Sequence, residues 1–205
     1  MNKGLLKIAS LILFSFACSS AVFAQYNWKL SKEKDGIKVY ESELANSSFK
    51  CIKVECTLDG SLDKLAAVLS DVDHHKDWIY NNEKAWLLKK VKADDFYYYS
   101  ESHMPWPLSD RDAVSHMRLN RDTMDRFLDV VETGEPSYLP ENSGVVRVPR
   151  LYINWHVTMP YKNKLNIVYI LEVEPGGSLP AWIVNMFVDK GPYESFKRLQ
   201  EILKR

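Results

Sequence analysis

The residues best suited by type to metal binding or acid–base catalysis lie in one short segment. It holds Asp71, Asp73, His74, His75 and Asp77. A metal needs ligands that converge on one point, whereas adjacent side chains on a helix point about 100° apart. We therefore interpret the segment as a solvated helix end with aspartate caps, and we predict no metal site.

A second charged cluster, Asp110-Arg111-Asp112, places a guanidinium between two carboxylates. Such a cluster could be catalytic. However, an arginine beside carboxylates is more often held by bidentate hydrogen bonds that stabilise the fold. We predict a structural ion pair among Asp110, Arg111 and Asp112.

The other histidines offer no catalytic pattern. His103, His116 and His156 lie on the polar phase of strand-like segments and are expected to be exposed. The sequence has no nucleophile elbow, zinc-binding helix, phosphate loop or dinucleotide fingerprint. We therefore expect no catalytic residues and no cofactor.

Composition limits the class of protein and its partners. The chain of 205 residues has 27 basic and 27 acidic residues, and 12% of its residues are aromatic. Nucleic-acid binding requires a concentrated positive charge, which this balance does not provide. The aromatic content argues against a disordered chain, and the length suits one domain with a sizeable core.

Residues 1–24 are typical of a secretory signal peptide. Two lysines precede an apolar run too short to span a bilayer, and Val22-Phe23-Ala24 provides a small-residue cleavage site. We expect an exported protein, periplasmic or extracellular, whose mature chain begins at Gln25 and forms one domain over residues 25–205. Lipidation at Cys18 is a minor alternative.

Hydrophobic spacing predicts the elements in the first part of this domain. We interpret the segment that begins at Trp28 as helical, and alternation predicts strands over 36–40 and 49–58. Ser61 is a candidate cap for a helix with apolar residues at i, i+3, i+4 and i+7. A further helical turn is predicted over 73–78.

The second part of the domain is almost entirely strand-like, and one long helix follows it. The helix is predicted from about Pro180 to Lys204. A curved antiparallel sheet has an apolar concave face that must be covered, and only this helix is long enough to cover it. The predicted fold class is therefore α+β, with an apolar space between sheet and helix. The predicted strands are 84–93, 95–104, 111–121, 124–132, 144–158 (divided near Pro149) and 164–174.

Four segments resemble, in order along the chain, the motifs of START lipid-transfer domains. Residues 104–114 (MPWPLSDRDAV) resemble the Pro-aromatic-Pro loop and Arg-Asp of that family, and residues 174–185 (EPGGSLPAWIVN) resemble its C-terminal signature. Trp28 followed by 36–40 is similar to the family's opening, and Asp77-Trp78 to its second helix. The resemblance implies the helix-grip fold of the Bet v 1-like superfamily, in which a curved sheet wraps a long C-terminal helix. It also implies a tunnel for one hydrophobic molecule.

The resemblance implies which residues form the wall and lid of the tunnel. Alternation puts Ala113, Ser115, Met117 and Leu119 on one face. Sterol-binding members often have a buried arginine where this chain has Met117, which leaves phospholipid, fatty acid or another acyl ligand open. We expect a wall without histidine or carboxylate. The complete predicted ligand-binding set is Trp106, Leu108, Ala113, Ser115, Met117, Leu119, Tyr169, Trp182, Met186 and Phe187.

The function implied is a non-enzymatic binder or shuttle of a hydrophobic lipid outside the cytoplasm. We expect a monomer that contacts a membrane surface transiently through the loop of Trp106 and Leu108 and does not bind nucleic acid. The alternative is a helix-grip enzyme of the polyketide cyclase or hydrolase type. Such an enzyme would have an acid–base pair with shifted pKa values in the tunnel.

Overall fold

The structure, a computed structural model, describes residues 26–43, 49–122, 124, 126–177 and 190–205. The expected signal peptide, Cys18 and the three lid residues of the predicted C-terminal helix (Trp182, Met186 and Phe187) lie outside the described residues. The strands are β1 (Lys29–Lys34), β2 (Ile37–Glu43), β3 (Lys50–Asp59), β4 (Asn82–Lys92), β5 (Asp95–Ser102), β6 (Asp110–Arg121), β7 (Phe127–Gly134), β8 (Val145–Arg147), β9 (Arg150–Tyr161) and β10 (Lys164–Glu174). The helices are α1 (Leu62–Ser70), α2 (His75–Trp78) and α3 (Lys190–Lys204), with a 3-10 turn over Val72–His74 before α2.

Nine of the strands within the described residues form one curved sheet in the order β1-β2-β3-β10-β9-β7-β6-β5-β4, with every neighbouring pair antiparallel. The short strand β8 pairs in parallel with β6 beside this path. The predicted α+β class, a curved antiparallel sheet with a C-terminal helix and short helices, is confirmed. The two short helices were predicted after the second strand, but they follow the third strand, β3, because the segment after Trp28 forms an additional strand. None of the described helices has the length and apolar character needed to cross a bilayer.

Helix α1 forms where the sequence predicts it. The Ser61 side chain accepts a hydrogen bond of 3.2 Å from the backbone N–H of Lys64, which satisfies one of the free donors of the first turn. Leu62, Leu65 and Leu69 are buried on one face. The apolar spacing therefore directs α1 onto the core.

Helix α3 packs against β2, β3 and α2. It buries the side chains of Tyr193, Phe196, Leu199 and Leu203, which follow helical spacing. Each large apolar side chain buried in this way contributes roughly 1.5–3 kcal/mol. The helix thus covers the sheet face that alternation leaves apolar.

The segment that begins at Trp28 is a strand and not a helix, so that prediction is wrong. Strand β1 pairs with β2 from Lys29 opposite Glu41 to Lys34 opposite Ile37. The connecting residues Asp35 and Gly36 have φ angles of 55° and 77°. Two positive φ angles in succession make the turn that favours a tight hairpin, and Asp-Gly is its common sequence. Pairing with β2 therefore overrides the weak helical pattern.

Candidate functional site

A cavity of about 220 Å³ lies between the inner face of the sheet and the helices. Five neighbouring strands contribute to its wall, and α2 and α3 close it with Trp78 and Phe196 among other residues. Ligand sites in proteins typically measure roughly 300–1,000 Å³, so the space bounded by the described residues is smaller than that range.

Much of the wall is aromatic. The Trp155 ring lies 4.8 Å from that of Tyr169 and 5.2 Å from that of Phe196, and the Trp78 ring lies 6.4 Å from that of Trp155. These are usual distances for packed aromatic pairs. The wall therefore offers an apolar surface of fixed shape.

One row of directly opposed residues crosses the inner face of the sheet. Phe96 lies opposite Met117, Met117 opposite Glu132, Glu132 opposite Ile153, and Ile153 opposite Leu171. Directly opposed residues of antiparallel strands share a face. Glu132 therefore lies among apolar side chains in the wall of the cavity.

The Glu132 carboxyl is almost completely buried and has a neutral hydrogen-bond partner. The Tyr98 hydroxyl donates to Glu132 Oε1 at 2.6 Å. Within the described part of the chain, no ion pair joins Glu132 to a cation. Burial raises the pKa of Glu132, and the hydrogen bond from Tyr98 opposes this only in part. Burial also raises the pKa of Tyr98 well above its usual range. The neutral form of the carboxyl is thus favoured.

His75 is the second polar group in the wall. Its Nε2 lies 3.0 Å from the carbonyl oxygen of Leu69, which can only accept a hydrogen bond, so Nε2 carries the proton. Burial lowers the pKa of His75, and the ring is neutral at physiological pH. Nδ1 is then an acceptor. The ring packs edge-on against Tyr98 at 5.3 Å and Trp78 at 5.6 Å.

Three buried polar atoms near this wall have no hydrogen-bond partner among the described residues. They are Nδ1 of His75, Nε1 of Trp78 and Oγ of Ser115. The Ser115 side chain lies close to Glu132 and lowers the pKa of its carboxyl. Buried polar groups without partners are uncommon in folded proteins.

The expectation of a wall without histidine or carboxylate is therefore wrong, and two signals in the sequence could have corrected it. Glu132 shares the strand phase of Leu128 and Val130, both of which are buried. His75 precedes Trp78 by three positions, which places both on one helix face. His74 is exposed as expected, whereas the burial of His75 contradicts a fully solvated helix end.

The structure brings some of the predicted ligand-binding residues together and not others. Met117 and Tyr169 line the cavity. Ser115 and Ala113 are buried and Leu119 packs against the core at its edge, but none of the three is among the cavity's lining residues. A ligand contact for any of these residues remains a prediction.

The predicted ion pair among Asp110, Arg111 and Asp112 is wrong in its partners. Neighbouring side chains in β6 point to opposite faces, so Arg111 cannot bridge both carboxylates. Asp112 instead receives two hydrogen bonds from Arg147 of β8, at 2.8 and 3.0 Å. Both side chains are almost fully buried, at 0% and 3% exposure.

Arg111 joins the two motifs that carry the strongest family resemblance. Its guanidinium donates to the backbone carbonyls of Pro175 and Gly176, as well as to that of Ser109. Asp110 accepts a hydrogen bond from the backbone N–H of Met104 at 2.8 Å. The loop before β6 and the turn after β10 are therefore held together.

The loop before β6 presents its tryptophan to solvent. Trp106 is 93% exposed, whereas Leu108 is half-buried and donates its backbone N–H to the carbonyl of Pro105 at 3.0 Å. A fully exposed tryptophan is unusual for a residue that carries so much apolar surface. The side chain is thus available to an apolar or interfacial partner.

One group of side chains at the base of this loop has spacing compatible with metal ligation. The ligand atoms of Glu83, His103 and Asp110 lie within 4.8 Å of one another. His103 Nδ1 lies 3.0 Å from Asp110 and 3.8 Å from Glu83. Glu83 and His103 are exposed, and Asp110 already binds the backbone of Met104. The contacts of His103 with the two carboxylates, and the hydrogen bond from Met104, account for the arrangement without a metal.

Comparisons of the sequence and the fold with known proteins point to the same family as the sequence motifs. The family model of the START domain matches residues 19–205. The chain is 32% identical to an uncharacterised protein of Pseudomonas aeruginosa over 99% of each chain, and 29% identical to the phosphatidylcholine transfer protein of Mus musculus over 80% of this chain and 78% of the relative. A solved structure of a STAR-related lipid transfer protein from Xanthomonas axonopodis is similar with a TM-score of 0.79 and 30% identity, covering 87% of this chain and 99% of the other.

Proposed function

This chain belongs to the START domain family, and from that premise we propose that it binds a hydrophobic lipid in its cavity and transfers or presents it to a membrane. The observation that carries the proposal is the aromatic-lined cavity between the sheet and α3. The relatives named as a phosphatidylcholine transfer protein and a STAR-related lipid transfer protein support the same class of ligand.

The physical need for such a protein follows from the cost of hydrating an acyl chain. Moving one methylene from an apolar environment into water costs about 0.8 kcal/mol. The transfer of an acyl chain of about 16 carbons into water therefore costs roughly 13 kcal/mol. Spontaneous exchange between membranes is therefore slow. An apolar cavity in the protein surrounds the acyl chain in place of the bilayer. The barrier to lipid exchange is then the opening of the cavity and not the hydration of the chain.

We place the protein outside the cytoplasm on the pattern of residues 1–24. A positive start, a short apolar run and a small-residue site at Ala24 support export. N-terminal sequencing of the exported protein should begin at Gln25. A chain that begins at a lipid-modified Cys18 would establish a lipoprotein, and an intact Met1 would overturn the export proposal.

The test of lipid transfer uses donor vesicles that contain a self-quenching fluorescent phosphatidylcholine and unlabelled acceptor vesicles. We expect the protein to accelerate dequenching by at least about tenfold over spontaneous exchange. Leu171→Trp should abolish the acceleration because Leu171 lines the cavity. Leu87→Trp is the matched control, since Leu87 is exposed on β4. Transfer at the spontaneous rate by the folded wild-type protein would refute the proposal.

One observation favours a second candidate function, an enzyme of the helix-grip type. Glu132, Tyr98 and His75 are groups capable of proton transfer, and all three line the cavity. The discriminating experiment extracts the ligand from protein purified from its own host and returns it to stripped protein. An unchanged ligand mass supports a binder. Conversion to a new mass that is lost in Glu132→Gln would support an enzyme.

A further inference from the structure

A groove of about 620 Å³ lies on the outer face of the sheet, on the side opposite the cavity. Strands β6, β7 and β9 form it, with Arg118 opposite Val131 and Val131 opposite Asn154. Each of these residues is next in sequence to a member of the row that crosses the inner face, so all three point outward. The lining is mainly polar, in contrast to the aromatic wall of the cavity. Its polar members are Arg118, Asn120, Asp129, Asn154 and His156.

Arg118 has no partner for its positive charge among the described residues, although two carboxylates lie near it. Asp95 lies directly opposite Arg118 on β5, but its Oδ1 atom is 2.6 Å from Nε2 of His116. Asp129 is a diagonal neighbour of Arg118 on β7, but its Oδ1 atom is 2.6 Å from Nδ1 of His156. Each carboxylate is thus bound by a histidine, which leaves the exposed guanidinium available to an anion.

The groups beside Arg118 can form hydrogen bonds with hydroxyl groups. Asn120 and Asn154 each carry an amide that donates and accepts, and neither amide has a hydrogen bond to the described residues. Nδ1 of His156 donates to the Asp129 carboxylate, which can only accept, so Nε2 of the neutral ring can accept from a hydroxyl. The groove therefore places a cation that suits an anionic group beside side chains that suit hydroxyls.

Charge, size and polarity restrict the class of ligand. A lone inorganic anion would use Arg118 but would lie near the Asp129 carboxylate, and an exposed ion pair alone contributes little to binding. An uncharged sugar would leave the guanidinium without a counter-charge, and an acyl chain would cover the polar side chains without offering them hydrogen bonds. A molecule that combines one anionic group with several hydroxyls satisfies the whole lining. The volume lies within the usual range of ligand sites, roughly 300–1,000 Å³.

We propose that this groove binds a sugar or polyol that carries one phosphate or carboxylate group. Arg118 binds the anionic group through two parallel N–H donors. The amides of Asn120 and Asn154 and the ring of His156 bind the hydroxyls. The groove and the lipid cavity lie on opposite faces of the sheet, so this inference goes beyond the proposed function and can fail without it.

The test is an NMR titration of the isotope-labelled wild-type protein with four small molecules: glycerol 3-phosphate, glucuronate, inorganic phosphate and glucose. We expect glycerol 3-phosphate, glucuronate or both to bind at least about tenfold more tightly than inorganic phosphate and glucose, since only they combine an anionic group with hydroxyls. Equal affinity for inorganic phosphate would show an adventitious ion only, and equal affinity for glucose would show that Arg118 binds no anion. Either result, or no binding of both anionic polyols, overturns the proposal.

Two variants assign the binding to the groove. Arg118→Gln should weaken binding of the anionic polyol by at least about tenfold, and Asn154→Leu by about threefold or more, because each removes a group that contacts the ligand. Arg198→Gln is the matched control, since Arg198 is an exposed arginine of α3 outside the groove. Binding that is unchanged in Arg118→Gln, or weakened equally in Arg198→Gln, overturns the proposal. Should Asn154→Leu fail to fold, Arg118→Gln decides.

A lipid headgroup is a second source of the same chemistry, because phosphatidylglycerol carries a phosphate beside hydroxyls. Excess glycerol 3-phosphate added to the protein in the presence of phosphatidylglycerol vesicles distinguishes the two sources. Release of the protein from the vesicles assigns the groove to the headgroup, whereas retention or a lack of vesicle binding assigns it to a soluble molecule. The transfer assay with fluorescent phosphatidylcholine tests the cavity alone, so its failure and the failure of this inference are separate results.

Discussion

At the residue scale, the buried carboxylates of Asp112 and Glu132 have partners of different charge. Asp112 meets the guanidinium of Arg147, which also donates to the backbone carbonyls of Pro136, Leu139 and Pro140. Glu132 meets only neutral groups among the described residues. A buried carboxylate can keep its charge when a cation is paired with it, whereas an unpaired buried carboxyl favours its neutral form. Asp112 therefore has a structural role, whereas Glu132 is suited to contact a ligand.

Removing the partner of Asp112 should be costly. Arg147→Met leaves a buried carboxylate and three carbonyls without their donor, and we expect the free energy of unfolding to fall by about 3–5 kcal/mol. Urea denaturation measures it. Lys164→Met breaks the exposed pair with Asp59 and should cost less than about 1 kcal/mol. Equal effects of the two variants would contradict a structural role for Arg147.

The burial of Glu132 predicts a specific dependence of stability on pH. The folded-state pKa of Glu132 is raised above its ordinary value of 4.5, so the folded protein holds this proton more tightly than the unfolded chain. Its contribution to stability is present below about pH 4.5 and is lost as the pH rises through the folded-state pKa. Tyr98 and Tyr169, which face it, have raised pKa values and stay neutral over this range.

Replacing Glu132 with glutamine should remove that dependence. Relative to Glu132→Gln, the wild-type protein should lose up to about 1.4 kcal/mol of unfolding free energy per pH unit above about pH 4.5. Urea denaturation of both proteins between about pH 4 and pH 8 measures the difference, and the contribution of His75 is common to both. Parallel curves would show that Glu132 is not desolvated.

At the element scale, the turn after β10 depends on a glycine. Gly176 has a φ of 67°, in the left-handed region, and a Cβ at this position would lie 2.9 Å from the carbonyl oxygen of Arg147 and 2.9 Å from Pro149 Cδ. The same turn supplies the carbonyls that Arg111 binds. The close approach lets β8 and the start of β6 pack against the end of β10.

An alanine at this turn should be more harmful than an alanine at a turn with free space. Gly176→Ala incurs strain of roughly 1–2 kcal/mol from its φ, and the clash adds roughly 1–3 kcal/mol. Gly144→Ala is the matched control, since Gly144 has a φ of 89° but nothing within 4 Å of an added Cβ. Thermal or urea unfolding should show that the Gly176→Ala variant is less stable than the Gly144→Ala variant. The reverse order would contradict the close packing of this turn.

At the scale of the whole molecule, the two ends of the sheet differ. One end gathers the loop of Trp106, strand β8 and the turn at Gly176, which Arg111 links. The opposite end carries the turn between β9 and β10, where Tyr161 is 76% exposed. Both ends expose an aromatic residue, but only Trp106 belongs to a segment that resembles a family motif. We therefore propose that the Trp106 end contacts the membrane.

This polarity predicts unequal effects of two similar substitutions. Trp106→Ala should slow transfer between vesicles by about five- to tenfold, because a tryptophan seated at the headgroup boundary contributes on the order of 1 kcal/mol. The affinity of the Trp106→Ala variant for a soluble lipid should differ from that of the wild-type protein by less than about twofold. Tyr161→Ala should leave both quantities unchanged. A slower rate for Tyr161→Ala alone would place the contact at the opposite end.

Features that depend on local periodicity could be predicted from the sequence. Alternation located the sheet strands from β2 onward to within a few residues, and the Ser61 cap with its leucine spacing located α1. Periodicity succeeds here because a strand or helix exposes one face to the core whatever its partners are. The error at β1 arose where the hairpin turn at Asp35-Gly36, and not the spacing, decided the conformation.

The site itself depended on tertiary structure. Asp112 pairs with Arg147 because β8 lies beside β6, and no spacing along the chain predicts that neighbour. Glu132 lies in the cavity wall because β7 is enclosed between β6 and β9 while α2 brings His75 and Trp78 to the same space. The sequence alone determined which faces are apolar, since that is a property of one element. Which polar groups meet inside was decided by the order of the strands, because hydrogen bonds and ion pairs form only between groups that the fold brings within about 3–4 Å.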